Sequence, residues 1–404
     1  MLEQHPGEYL TSFKQVSLSV GELAGHLQKG PIQQVGLRDF KLGIDSLAIQ
    51  FTLDTLLYRF HDFNTGLQDL DIQTADSVFH LAMQSFDLSY QDKSIRIKEI
   101  SFKPNVSHAA LQKNYQYQHT EFSGSVGTLD FNYVNFDSLL YAQKIFIDEI
   151  VLENVKAFIF KDKTKPIDKN RYPVYLGQTV STIPLPVLIK KIKATRVDLE
   201  NTERKPDSTY VKVNITRGII NIENITNLAP QTSLIMGADA YINGKAHFKA
   251  GLSFDYRKPQ FSFEGIVEKF NLPDLNPVIQ AYTPAKINAG IADEIVFSGI
   301  AEETKASGTM KFLYHELEID LELKEKAKWK SSVIAFTANT VLNSSNPESP
   351  KSPPRQVQFQ IERDRNKGFV NVLIKSMLNG LKETMIMSKE NRKAYKESKK
   401  KSKE

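Results

Sequence analysis

Three eight-residue segments share one pattern: VGLRDFKL at 35–42, IRIKEISF at 95–102 and IFIDEIVL at 145–152. Each reads apolar-x-apolar, then two mostly charged residues, then apolar-x-apolar. A looser copy, IKATRVDL at 192–199, has Ala194 in the second apolar place and Thr195-Arg196 as the pair. The starts lie 60, 50 and 47 residues apart, a nearly constant interval that marks a stacked repeat. Strict alternation would send Ile95 and Ile97 to one face of a strand and Ile100 and Phe102 to the other. An extra residue at Lys98-Glu99, in the manner of a β-bulge, returns all four to one face and adds twist. The pattern therefore predicts that Ile95, Ile97, Ile100 and Phe102 point the same way as Ile145, Ile147, Ile150 and Leu152. The bends are expected at Lys98-Glu99 and Asp148-Glu149.

Alternation recurs along the chain. In MKFLYHELEIDLELK (310–324), Leu317, Ile319, Leu321 and Leu323 alternate with Glu318, Asp320, Glu322 and Lys324, giving one dry and one wet face. Further strands are predicted at 84–90, 156–160, 210–215, 219–225, 248–256, 260–267, 293–298, 308–315, 333–338 and 356–362. Helices are predicted at 107–114, 136–143, 272–282 and 366–387. Strands outnumber helices, so few helical faces exist to cover the dry sides. The expected fold is mainly β: an elongated, curved and twisted β-sheet groove built from repeats, with few short helices and a C-terminal amphipathic helix. The expected organisation is an N-terminal β segment (1–80), a repeat-built groove (81–342), a Pro/Ser-rich loop (343–354), a final strand and helix (355–387) and a disordered Lys-rich tail (388–404).

The net charge of +5 resides in that tail, where residues 388–404 hold eight Lys/Arg and three Asp/Glu. The remaining body is balanced, which argues against a broad nucleic-acid footprint. There are no cysteines, so thiolate metal sites and disulfide staples are excluded. The eight histidines form no HxH or HxxxH pair, Gly124-Ser125-Val126-Gly127 lacks the spacing of a nucleophile elbow, and no glycine-rich phosphate loop occurs. Asp148-Glu149 reads as a solvated pair, because neighbouring strand residues face opposite ways. No catalytic residue, metal site or cofactor is expected. No apolar run reaches the ~18–20 residues that span a bilayer, and the first thirty residues lack the basic and apolar regions of an export signal. Taken literally, this is the sequence of a soluble protein without an export signal; because the chain opens directly into strand-like sequence, the alternative is that Met1 is not the natural start.

The 366–387 helix carries the strongest amphipathic pattern. Phe369, Leu373, Met377, Leu381 and Met385 step by four, and Lys399, Lys400 and Lys401 extend its basic character into the tail. Two roles are open: a cap on the end of the sheet, or a membrane-surface helix. Gly380 interrupts it at a cost of about 1 kcal/mol relative to Ala, so the helix needs tertiary or membrane contacts.

One region carries a family resemblance. LPDLNPVIQAYTPAKINAGIADEIVFSGIAEETKASGTMKFLYHELEIDL (272–321) resembles the C-terminal region of AsmA-like proteins, relatives of the TamB-like group. The shared features are Leu275-Asn276-Pro277, Ile287, Gly290, Phe297, Ala306 to Met310, Tyr314 and Leu317. PPRQVQFQIERDRNKGFVNVLIKSMLNGLKETM (353–385) is similar to that family's ending, and FKDKTKPIDKNRYPVYLGQTVSTIPLPVLIKKIKATRVDLEN (160–201) to its inter-repeat segment. The resemblance implies a non-enzymatic protein of the Gram-negative cell envelope and periplasm, supporting lipid transport or outer-membrane integrity. Its expected partners are phospholipid or other acyl lipids, the membrane surface and envelope proteins, with no nucleic acid. The family's N-terminal anchor helix is not present in this sequence. On this reading the groove is lined by Ile95, Ile97, Ile100, Phe102, Ile145, Ile147, Ile150, Leu152, Leu317, Ile319, Leu321 and Leu323. The alternative is a scaffold module that binds envelope proteins through open sheet edges, with the apolar face closed as an ordinary core.

Overall fold

The computed structural model describes residues 3–5, 8–26, 32–51, 56–74, 78–228, 233–282, 285–321 and 343–401. The protein is mainly β and divides into two units. The first comprises Met1–Asn114, Phe122–Ala157 and Leu185–Lys193, and the second Tyr115–Glu121, Phe158–Pro184 and Ala194–Glu404.

In the first unit, long antiparallel strands follow one another. They are β1 (Glu3–His5), β2 (Glu8–His26), β3 (Ile32–Phe51), β4 (Leu56–Arg59), β5 (Asp62–Thr74), β6 (Phe79–Ser89) and β7 (Ser94–Pro104), then β8 (Thr120–Val134) and the leading parts of β9 (Ile145–Asp162) and β10 (Val187–Arg204). Two short helices, α1 (His108–Lys113) and α2 (Phe136–Ala142), lie close to the predicted ranges. Each is opened by a side chain: Ser107 accepts from the Ala110 N–H and Asn135 from the Ser138 N–H.

The two-residue slip predicted in the repeat is a backbone feature. Asp39, Glu99 and Arg196, each the second member of its polar pair, are left-handed, with φ of 49°, 48° and 50°. A left-handed residue inside a strand turns the chain so that two successive side chains face one way. Both Lys98 and Glu99 are accordingly exposed, as are Arg38 and Asp39.

Cross-strand pairing holds these residues in a row. Val20 pairs with Phe40 and Glu22 with Arg38, which sets Gly21 beside Asp39. Arg38 pairs with Gln68, next to left-handed Asp69 (φ 47°). Gln68 pairs with Ser85 and Ser85 with Lys98, next to Glu99. Lys98 pairs with Thr128 and Ile100 with Val126, so Glu99 faces Gly127. Gly127 in turn lies against Asn154 (φ 56°). Of the left-handed residues in this row of the first unit, three are Asp or Asn, the non-glycine types that tolerate this conformation best.

The expectation for IFIDEIVL needs a correction. Asp148 and Glu149 are not left-handed. The Asn135 N–H donates to the Phe146 carbonyl at 2.9 Å and Asn132 Nδ2 to Glu149 at 3.4 Å, so the acidic pair faces Asn132-Tyr133 on β8. Tyr133 carries the left-handed φ of 58°. The fault exists, but the partner strand holds it. Ile147 and Ile150 still share one buried cluster, with Ile145 and Leu152 packed against it.

The second unit continues with α3 (Leu176–Ser181), the trailing parts of β9 and β10, β11 (Tyr210–Thr226), β12 (Leu234–Ile242), β13 (Ala246–Phe254), β14 (Phe261–Val267), β15 (Phe270–Asn271), a 3-10 turn at Leu272–Leu275, α4 (Asn276–Tyr282), β16 (Ala285–Ala301), β17 (Lys305–Leu321) and β18 (Gln356–Glu362). Two helices end the described chain, α5 (Phe369–Ile386) and α6 (Lys389–Lys401). The strand expected at 333–338 lies outside the described residues. Segments 210–215 and 219–225, read as separate strands, are one, joined through left-handed Arg217 (φ 56°) and a register shift between Thr216 and Ile219.

The core of this unit is built by rings seated over glycines. A Cβ on Gly265 would lie 2.5 Å from Phe297, one on Gly299 2.6 Å from Phe263, and one on Gly308 2.6 Å from Phe359. All three rings are buried. An aromatic beside a glycine on the neighbouring strand restores the packing surface that the glycine lacks. Above this face lies α5.

Two expectations for the C-terminus are corrected here. The most buried positions of α5 that step by four are Val372, Ser376, Gly380 and Thr384, one residue ahead of the expected stripe. Small residues there let the helix approach closely, and Gly380 sits against Met310, where a Cβ would lie 2.8 Å from Cε. Met385 is buried, whereas Phe369, Leu373, Met377 and Leu381 flank the contact half-buried. The tail is not disordered from 388 onward, because α6 packs. Tyr395 and Asn391 are buried. The Asn391 amide accepts from the Gln358 N–H and donates to the Gln358 carbonyl, both at 2.9 Å, filling ladder groups on the edge of β18. Lys399, Lys400 and Lys401 all belong to α6.

A buried guanidinium fixes the helix end. Arg355 is fully buried, and its Nε donates to the Thr384 carbonyl at 3.1 Å and its Nη2 to Tyr314 Oη at 3.1 Å. Gly380→Leu tests the close approach. Propensity alone would stabilise the helix by about 1 kcal/mol, but overpacking against Met310 costs roughly 1–3 kcal/mol. The expected result is a lowered Tm in thermal unfolding, and a raised Tm would refute the packing described.

Candidate apolar face

The registers of the first unit align its apolar side chains across six strands. One row runs Leu18, Leu42, Thr65, Leu88, Ile95, Phe131, and beside it Val20, Phe40, Leu67, Phe86, Ile97, Leu129. Beyond the left-handed residues run Leu23, Leu37, Leu70, Met83, Ile100, Val126, and then Gly25, Val35, Ile72, Leu81, Phe102, Gly124. Ile95, Ile97, Ile100 and Phe102 thus share one face, two on each side of the fault, as the repeat predicts. Six strands spaced about 4.8 Å apart give a face about 24 Å across.

The opposite face is polar and ion-paired. Arg38 pairs with Asp69, Arg96 Nε donates to Asp130 at 2.6 Å, and His80 Nε2 lies 2.5 Å from Asp71. Glycines interleave there too, with Gly43 beside Asn64 and Gly66 beside Asp87. The sheet is amphipathic by construction.

What covers the apolar side differs along it. At one end α2 lays Phe136 over the sheet, and Val134, Phe136, Ile147 and Ile150 form a buried cluster with Ile95, Leu129, Ile145, Leu152 and Ile189 packed on it. Tyr90 Oη donates to Asp137 at 2.6 Å and so ties α2 to the sheet; this bond and burial push the phenol up to about 12. Elsewhere the rows are half-buried, and exposure rises to 39% at Phe102, 43% at Leu23 and 51% at Leu18. Among the described residues of this unit, no helix covers the rows from β2 to β6.

The C-terminal members of the expected lining have a different setting. Leu317 and Ile319 line a cavity of about 50 Å³ together with Leu272, Ile287, Leu378, Leu381 and Met385. That is room for a water molecule or two, not an acyl chain. Here α5 has closed the face as core. Glu316 is left-handed (φ 55°), which keeps Phe312, Tyr314 and Leu317 all buried, with Gly290 (φ 130°) against Leu317 on the next strand. Leu321 pairs with Ala285 at the end of β17, and Leu323 lies outside the described residues.

The polar face of the second unit carries a titratable cluster that sequence reading missed, because its members are far apart in the chain. His247 on β13 meets Asp239 of β12 through Nε2 at 2.7 Å and Glu268, just after β14, through Nδ1 at 2.8 Å. Tyr241 stacks on the imidazole, and Arg217 lies 3.6 Å over Tyr241. Hydrogen bonds to Glu268 and then Asp239 raise the His247 pKa, outweighing desolvation. Both nitrogens are engaged, so the ring serves as a cation joining three strands rather than a proton acceptor.

No helix among the described residues is long and apolar enough to cross a membrane. Comparison of the chain with protein-family models gives no match, and comparison with curated proteins gives none either.

The raised His247 pKa sets the sign of a pH effect. Its contribution to stability is complete below the unfolded value of about 6.5 and is lost as pH rises through the higher folded value. Lys249 lies 4.0 Å from Asp239 and 3.8 Å from Glu268 and takes up part of the charge left behind. Thermal unfolding from pH 6 to 9 should show falling stability, and His247→Gln should flatten that slope.

Proposed function

We propose that this protein binds lipid acyl chains on the apolar face of its first unit, as a non-enzymatic carrier or conduit of the AsmA-like type. The reading places it in a Gram-negative envelope, where it supports lipid transport or outer-membrane integrity. The observation that carries it is four aligned apolar rows left half-exposed on a sheet whose other side is ion-paired. Contiguous apolar surface of this extent on a soluble face marks a binding site. Each CH₂ shielded there contributes about 0.8 kcal/mol. Recognition would be by area alone, which suits sliding rather than chemistry.

A second reading, a scaffold that accepts partner strands, is favoured by one contrast. The edge of β18 is plugged by Asn391, whereas β2 has no strand beyond Leu10 on its outer side among the described residues. Strand addition at that edge would extend the apolar rows.

Native mass spectrometry of the purified protein tests the first reading through co-purified phospholipid. Ile97→Lys and Leu67→Lys place an ammonium in the half-exposed rows, where it must be desolvated by a bound chain. Lipid retention should fall several-fold with only a small change in Tm. Ile147→Lys, in the buried cluster, should instead unfold the first unit. Full retention in Ile97→Lys and Leu67→Lys would exclude the apolar rows as the site.

A further inference from the structure

β2 is a long edge strand that lacks the usual protection. Its inner side pairs with β3 from Tyr9 to His26, and its outer side, among the described residues, pairs only with β1 at Glu8, Tyr9 and Leu10. Residues 17–26, SLSVGELAGH, hold no proline and no lysine, and Glu22 is their one formal charge. Edge strands that face water are commonly blunted by lysine, by proline or by a cover, as Asn391 covers β18. On β2, Leu18 and Leu23 are exposed instead, and a Cβ on Gly21 or Gly25 would meet nothing within 4 Å.

The slip at Gly21-Glu22 decides which strand can pair there. The apolar face of β2 is carried by Leu18 and Val20 before the slip and by Leu23 and Gly25 after it. Residues directly opposite one another in an antiparallel pair project to the same face. A partner strand therefore needs its own slip at the same level, as β3 has at Arg38-Asp39. β2 itself meets this condition. A two-fold axis between Gly21 and Glu22 sets Val20 opposite Leu23 of a second copy, Leu18 opposite its Gly25, Ser19 opposite its Ala24 and Ser17 opposite its His26. Glu22 then meets Gly21, so no like charges lie directly opposite. Moving the register by one residue would set Val20 against Glu22 or Ala24, one face against the other. A register centred on Leu18 would run Gly21-Glu22 against the unslipped Lys14-Gln15.

We infer that the outer edge of β2, residues 17–26, binds a second copy of this chain by antiparallel strand pairing about a two-fold axis between Gly21 and Glu22. The interface is isologous, with the same ten residues used on both sides. It runs the Leu18 row of one copy into the Gly25 row of the other, and the Val20 row into the Leu23 row. Six aligned strands become twelve, and the apolar face grows to about 53 Å across. The inference rests on the strand-accepting reading of this edge and not on the lipid reading.

The chain has no cysteine, so introduced cysteines report the register in the full-length protein. Directly opposed Cβ atoms lie about 4.5–5.5 Å apart, close to the span of a disulfide. On mild oxidation, Val20→Cys mixed with Leu23→Cys, and Leu18→Cys mixed with Gly25→Cys, should form a covalent dimer. Each variant alone, and Leu18→Cys mixed with Val20→Cys, should link several-fold less, because those positions are out of register. Sedimentation equilibrium of the wild type should show a dimer. Leu18→Lys puts an ammonium between the joined rows and should weaken association at least ten-fold with the circular dichroism unchanged. A wild type that stays monomeric at high micromolar concentration, equal linkage in matched and mismatched mixtures, or unchanged association in Leu18→Lys would each overturn the inference. Hydrogen exchange separates that failure from failure of the edge reading. Fast-exchanging amides along 17–26 in a monomer would leave the edge open to some other strand, whereas slow exchange along both sides of β2 in a monomer would sink both ideas.

Discussion

A strand that must keep one face apolar along nearly twenty residues cannot break its alternation alone. Each ladder hydrogen bond ties its register to the strand beside it, so a slip in one strand forces its neighbours to slip at the same level or lose pairing. Gly21, Asp39, Asp69, Glu99, Gly127 and Asn154 meet this constraint in the first unit, one after another across the ladder. Glycine supplies the site where its neighbour has turned, and Asp or Asn supplies the turn at least cost. The amphipathic character of the sheet depends on this row. With strict alternation, Leu23, Leu37, Leu70 and Ile100 would join the ion-paired side, and neither face would be continuous.

The second unit meets the same need with a different closure. Tyr314 and Leu317 flank left-handed Glu316 and remain on the buried side. There a small-residue path on α5 seals the face, and Arg355 fixes the helix end through backbone carbonyls, a tyrosine hydroxyl and Glu348 at 3.5 Å. A guanidinium with no exposed surface is tolerable only because its donors are met. Breaking that set would leave a buried charge, which is why the joint between loop 343–355 and α5 leaves little slack.

Much of this is legible in the residues. The offset in IRIKEISF located the left-handed Glu99, and the final strand at 356–362 matches its predicted bounds. The misses share a cause. Periodicity reports where apolar mass lies, not which side of a helix can come closest. The stripe from Phe369 to Met385 therefore drew attention away from Ser376 and Gly380, whose value is their smallness. A Lys-rich tail likewise reads as solvated, since its packing rests on one tyrosine and one asparagine that mimics a strand. Arg355 gave no signal, because nothing local tells a buried arginine from an exposed one.

An open apolar face and a closed one in the same chain raise a question of economy. Closing a face needs a helix of matching length with small residues on its contact side, and α5 meets both terms. Among its described residues the first unit has only α1 and α2, of six and seven residues. At 1.5 Å per residue each spans about 10 Å, too short to roof a face about 24 Å wide. Phe136 shows what one such helix achieves, a local cluster and no more. Rows from Leu18 to Phe86 that no described helix of the unit roofs, and that Thr65 alone interrupts with a polar side chain, retain a solvation cost in the isolated unit. Left-handed Asp39, Asp69 and Asn154 keep those rows continuous on one side of the sheet, and no described helix of this unit is long enough to shield them.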